Sequence, residues 1–261
     1  MEYFENCVKM DMHAENKEDV CTEVTKWLAT ITAWAIRNPK IMAEIRDSVE
    51  LKPSDTLKEL FTYDKTLANL NSFVDAHPQR VQEAEAMRKI VDLVPDFNNY
   101  QRLLANTCQP PLLAHMDMWS GNILWRKTTD REYQPIAIID WQVCEVGTPI
   151  NDLVRWIPSA VSVEELLTNR NKYLRDYYSV LLEKADGCKL PWETFEKLVD
   201  SFERLYPLLM VPMALLFIKP EMMGMMLAAR ADHEKAEAQQ NYMKKMFGFI
   251  ECAVECIQKY Y

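Results

Sequence analysis

The chain has 261 residues, 49% of them apolar and 26% charged, with Asp+Glu exceeding Lys+Arg for a formal net charge of −9. That length and apolar content suffice for a real core in one large domain or two small ones, and they exclude a disordered chain. The acidic balance argues against nucleic acid as a partner, but a nucleotide stays compatible because a bound metal supplies local positive charge.

Seven cysteines (Cys7, Cys21, Cys108, Cys144, Cys188, Cys252, Cys256) form an odd, scattered set without Cys-x-x-Cys pairs. This predicts reduced thiols and a cytoplasmic protein. The opening Met1 to Asn6 is acidic and lacks the basic-then-apolar pattern of a signal peptide. The longest apolar run, Leu205 to Ile218, contains Pro207 and Pro212 and falls short of the roughly 18 to 20 residues that span a bilayer, so no membrane partner is expected.

From Glu18 to Arg37 the residues Val20, Val24, Trp27, Leu28, Ile31, Trp34 and Ala35 recur at three and four, the period of a helix with one buried face. Asn38-Pro39 ends it. A second helical stretch begins at Ser54 to Leu57 and extends toward Phe73, a third covers Pro78 to Val91, and Pro95-Asp96 introduces a fourth leading into Leu103-Leu104. Thr107 to Pro111 breaks the pattern and delivers the chain, extended, to Leu112. Two short strands follow, Ile123 to Arg126 and Gln134 to Ile139, joined by a turn. Beyond Asp152 the helical pattern resumes over 152–157, 163–184 and 192–206. Pro207 and Pro212 are expected to kink or divide the next apolar helix, and 228 to the end reads as one or two more, with Ala253, Cys256 and Ile257 packing inward.

The segment from Leu112 to Asp152 carries the chemistry. Its loop reads His115-Met116-Asp117-Met118-Trp119-Ser120-Gly121-Asn122, and the second strand exits into Asp140-Trp141-Gln142. A hairpin between the strands can bring Asp140 near Asn122. Two carboxylates and an amide oxygen would then converge. Phosphoryl transfer from a nucleotide needs such a set: one carboxylate to orient the attacking hydroxyl, and a carboxylate and an amide to hold magnesium. Asp117, Asp140 and Asn122 fit those roles in that order. Taken singly, each would read as a cap, strand terminus or turn residue.

In three blocks the chain resembles the choline kinase-like and ecdysteroid kinase-like small-molecule kinases, relatives of the aminoglycoside phosphotransferases. The blocks are His115-Met116-Asp117 through Asn122, Ile138-Ile139-Asp140-Trp141-Gln142, and Gly147-Thr148-Pro149-Ile150-Asn151-Asp152-Leu153. Met116 departs from the pattern, since that position is usually Gly or another small or polar residue. The resemblance implies ATP and Mg2+ as cofactors and a small-molecule hydroxyl as acceptor. It implies His115 as a support of the loop, and Asp152 as a structural brace beneath it. It also implies that Glu2, Tyr3 and Phe4 form the hinge that meets the adenine, so that residues 1–16 are a hinge-like remnant and 17–261 a helical lobe. The expected fold is therefore mainly α: a protein kinase-like C-terminal lobe with a small β-hairpin around the catalytic loop, its N-terminal β-rich lobe absent.

No glycine precedes Gly121, and no lysine-bearing strand precedes a helix. The first reading is thus an ATP-dependent phosphotransferase-like protein, inactive as written if the glycine loop and lysine are indispensable. The alternative is a catalytically impaired nucleotide-binding or helical interaction module. Trp156, Tyr173, Tyr177, Tyr178, Trp192 and Tyr206 are weighed as an acceptor pocket for a cation such as choline against ordinary core, and core is favoured. Met222, Met223, Met225 and Met226 read as adaptable packing, not a soft-metal site.

Overall fold

The computed structural model describes residues 7–10, 16, 18–48, 62–129, 132–228 and 230–261. The proposed hinge residues Glu2, Tyr3 and Phe4, and the helix start at Ser54 to Leu57, lie outside them.

The architecture is mainly α, as the helical periodicities predict, with two small sheets at the motif loop. Helix α1 (Glu18–Arg37) has the predicted limits. Its buried face differs, running Cys21, Val24, Thr25, Leu28, Ala29 and Thr32, while Trp34 is exposed. The reason is hydrogen bonding: the Tyr177 hydroxyl lies 2.7 Å from the Thr32 hydroxyl, and the Trp156 indole N–H donates to Thr25 at 3.1 Å. Buried aromatic polar tips need such partners, and two threonines on the inner face supply them.

After Asn38 the chain does not turn to coil. Helix α2 (Pro39–Ser48) starts at once, with proline at its first position, where the missing N–H costs nothing. Helix α3 (Tyr63–Ala76), α4 (Val81–Leu93) and α5 (Phe97–Ala105) follow. Asp96 caps α5, accepting the Asn99 N–H at 2.7 Å.

Strand β1 (Cys7–Val8) pairs antiparallel with β3 (Ile123–Thr129), which pairs with β4 (Glu132–Ile138). Both hairpin strands run further toward the turn than their apolar cores indicate. A second sheet, invisible in the sequence pattern, joins β2 (Leu112–Ala114) to β5 (Glu145–Gly147), with Leu113 opposite Val146. Helix α6 (Ile150–Ala160) and α7 (Val163–Lys184) come next, Ser162 capping the latter.

Helix α8 (Phe195–Phe217) corrects one expectation. It passes through Pro207 and Pro212 undivided, and the break falls at Ile218-Lys219, where α9 (Pro220–Met226) leaves at 88°. Every residue from Leu205 to Pro212 is buried, so packing on all sides compensates for the two missing N–H donors. Among the described residues no single helix is long and apolar enough to cross a membrane. The last helix, α10 (Asp232–Tyr260), lies against α8 with Ala253, Cys256 and Ile257 buried as predicted.

Candidate functional site

Strand β2 delivers the chain to the motif loop, and α6 receives it from below. The buried carboxylate of Asp152, in the first turn of α6, accepts the backbone N–H of His115 on Oδ2 and that of Met116 on Oδ1, each at 2.8 Å. Burial raises its pKa to about 7, although the two hydrogen bonds and nearby Arg155 pull the other way. Asn151 adds a bond from Nδ2 to the Met116 carbonyl at 3.3 Å. The loop needs this clamping because Met116 adopts φ 67°, left-handed backbone that a side chain disfavours. That conformation accounts for the usual preference for a small residue here.

His115 is buried. Its Nδ1 accepts the Asp117 N–H at 3.3 Å, which leaves Nε2–H to donate to the Ile139 carbonyl at 2.8 Å. With both nitrogens committed in the neutral form, and burial lowering its pKa, the ring ties the loop to the end of β4. It also packs edge-on to Trp141 at 4.6 Å between centroids.

Asp117 is held from two sides. Arg155 of α6 forms an ion pair with Oδ1, and Asn122 Nδ2 donates to Oδ2 at 3.0 Å and to the Asp117 carbonyl at 2.8 Å. Both Asn122 partners are acceptors, which fixes its amide orientation and leaves Oδ1 without a partner among the described residues. Asn122 ends a single 3-10 turn, Ser120–Asn122, pinned by the Trp125 indole donating to the Ser120 carbonyl at 2.8 Å. Glycine suits this position, because a Cβ would stand 2.3 Å from the Trp119 ring.

The hairpin register sets Ile123 opposite Ile138, and Ile139 N–H donates to the Asn122 carbonyl at 2.9 Å. Asp140, one residue on, is thereby brought beside the Asn122 end of the loop. It too is left-handed, at φ 64°, and its exposed carboxylate bonds to no described residue. The Asp140 carboxylate and the Asn122 amide oxygen are hard donors. Their small number suits a magnesium ion that keeps waters and shares phosphate oxygens, not an all-protein cage. No cluster of three or more His, Cys, Asp or Glu able to hold a metal occurs among the described residues.

Sequence reasoning missed Arg155. It lies three residues after Asp152, hence on the same helix face, so the face assigned to Asp152 already carried the signal. The six aromatics weighed as an acceptor pocket are core residues. A small cavity of about 20 Å³ lies beside Arg155, with Trp119, Ser159, Met210, Met213, Phe217 and Phe249 in its walls.

The sequence profile of a protein family described as "Uncharacterized oxidoreductase dhs-27" (DUF1679) matches residues 1–260. The chain belongs to this family. A Caenorhabditis elegans relative, "Uncharacterized kinase-like protein D1044.1", is 30% identical over 93 residues, covering 36% of this chain and 23% of that protein's length. A solved structure assigned as an aminoglycoside phosphotransferase from Ralstonia eutropha aligns with 99% of this chain and 72% of its own, at 12% identity and a TM-score of 0.45. The five glycines of this chain stand at 121, 147, 187, 224 and 248, so these 261 residues contain no Gly-x-Gly-x-x-Gly dinucleotide fingerprint.

Proposed function

We propose that this chain is the helical lobe of an ATP- and Mg2+-dependent small-molecule phosphotransferase of the choline kinase-like and ecdysteroid kinase-like type, acting on a hydroxyl. The observation that supports it most directly is the Asn122 side chain. It binds Asp117 through its nitrogen and leaves its oxygen unpartnered next to the hairpin end that carries Asp140. Magnesium, when bound, would neutralise phosphate charge. Asn122 and Asp140 would hold it, and Asp117, fixed by Arg155 and Asn122, would orient the acceptor hydroxyl. His115 and Asp152 would act by holding the shape of the loop, through the hydrogen bonds they make to it. The seven free thiols support a reducing, cytoplasmic setting.

Titration calorimetry with Mg-ATP tests this. Binding that depends on magnesium and is lost in Asp140→Ala is expected. No heat with the wild-type chain overturns the reading, and binding without transfer to any alcohol leaves a nucleotide-binding module.

A further inference from the structure

A cavity of about 300 Å³ opens where α5 and the segment after it meet β5, with Leu104, Cys108, Pro111 and Val146 among its apolar walls. That volume lies at the lower end of small-molecule sites. Neither Asp117, Asn122 nor Asp140 lines it, so it is separate from the candidate site. It does belong to the strand pair that feeds the motif loop, since Glu145 of β5 stands opposite Ala114 of β2, next to His115.

Glu145 is the one charged side chain of this lining. Its carboxylate makes no hydrogen bond and no ion pair with any described residue, and burial pushes its pKa up with no cation to pull it down. It shares a strand face with Gly147, where a Cβ would stand 2.7 Å from Glu145 Oε1, so the glycine leaves the room in which the carboxylate rests. Donors in the lining are committed elsewhere. Gln109 Nε2 donates to the Ala105 carbonyl at 2.6 Å. The single hydroxyl proton of Thr107 goes to the Leu104 carbonyl at 2.7 Å, which leaves the Thr148 hydroxyl to donate its own across the 3.0 Å to Thr107. A half-buried carboxylate without donors is costly, and a cation entering the cavity offsets that cost. A metal ion would want several more oxygens. One carboxylate among apolar walls suits an ammonium group on a hydrocarbon body.

We propose that this cavity is a binding site for a small organic ammonium ion, its charged nitrogen on Glu145 and its hydrocarbon part against Leu104, Pro111 and Val146. The site shares no residue with the phosphotransferase machinery, so its test stands apart from that reading.

Benzylammonium and benzyl alcohol test it, because they share a ring and a methylene and differ by one positive charge at neutral pH. Ligand-observed NMR titration of the full chain should show benzylammonium bound about tenfold or more tightly than benzyl alcohol, as one charge pair in a partly buried site would give. In Glu145→Gln the benzylammonium affinity should fall about tenfold, to that of benzyl alcohol, whose own affinity should hold. Gly147→Ala keeps the charge but pushes the carboxylate from its place, and should weaken benzylammonium several-fold. Equal affinities in the wild type, binding of neither probe, or an ammonium preference that survives in a folded Glu145→Gln overturns the proposal; the last would show general attraction to an acidic chain. If circular dichroism shows that Glu145→Gln fails to fold, Gly147→Ala decides, and an unchanged benzylammonium affinity there overturns it.

Discussion

The Asp152 carboxylate and the Met116 backbone are joined at 2.8 Å, and a left-handed residue at φ 67° is thereby clamped to the first turn of α6. The second Asp152 oxygen holds His115, so one buried side chain sets two consecutive peptide planes of the loop that presents Asp117.

Burial raises the Asp152 pKa from 3.8 to about 7. Between those values the native chain keeps a proton that the unfolded chain has released, so native binding of protons is the greater and stability falls as pH rises. The contribution is complete below the unfolded value and lost as pH passes the folded one. Asp152→Asn cannot titrate. The stability difference between wild type and variant should therefore shrink by about 1 kcal/mol or more from roughly pH 5 to pH 8, read from urea midpoints. A difference that stays constant or grows would contradict the burial argument.

Met116 carries a conformational cost that glycine does not. A non-glycine residue in left-handed backbone costs roughly 1–2 kcal/mol. Met116→Gly and Met116→Ala remove the same partial packing, so their difference isolates the backbone. Met116→Gly should be the more stable by about 1 kcal/mol in chemical unfolding. Equal stabilities would mean that φ is relaxed in solution.

Much of the site is local and so was legible in the residues. His115, Asp117 and Asn122 lie within one loop, and strand alternation from Ile123 to Ile139 implies the hairpin that brings Asp140 back to Asn122. Arg155 was not read, because an arginine on a helix face is ordinarily a solvated charge, and only the fold reveals Asp117 opposite it. The inner face of α1 was misjudged for a related reason. Periodicity ranks Trp34 above Thr32, but Tyr177, distant in sequence, needs the threonine hydroxyl. Pairing of β2 with β5 is likewise non-local and too short to leave a pattern. Continuity of α8 through two prolines depends on burial from several helices, which no window of sequence contains.

Lys245 supports the far end of the helix that carries Asp152 and Arg155. Its buried ammonium donates to the Ser159 carbonyl at 2.9 Å and the Val161 carbonyl at 2.8 Å, where α6 ends and its dipole is negative. Lys245→Met removes the charge but keeps much of the volume, leaving both carbonyls without that donor. A loss of about 1–3 kcal/mol is expected in urea unfolding. An unchanged midpoint would show that water replaces the ammonium there.

Gly121 and Trp119 offer a test of the loop's packing. A Cβ at Gly121 would stand 2.3 Å from the nearest atom of the Trp119 ring, so Gly121→Ala must displace an indole that also walls the small cavity beside Arg155. The expected cost is about 1–3 kcal/mol, typical of overpacking, with a change in near-ultraviolet circular dichroism as the indole moves. The cost should largely disappear when Gly121→Ala is made in a Trp119→Ala background, because the obstructing ring is gone and the two residues are in direct contact. An undiminished cost in that background would place the constraint in the 3-10 turn itself and not in the indole.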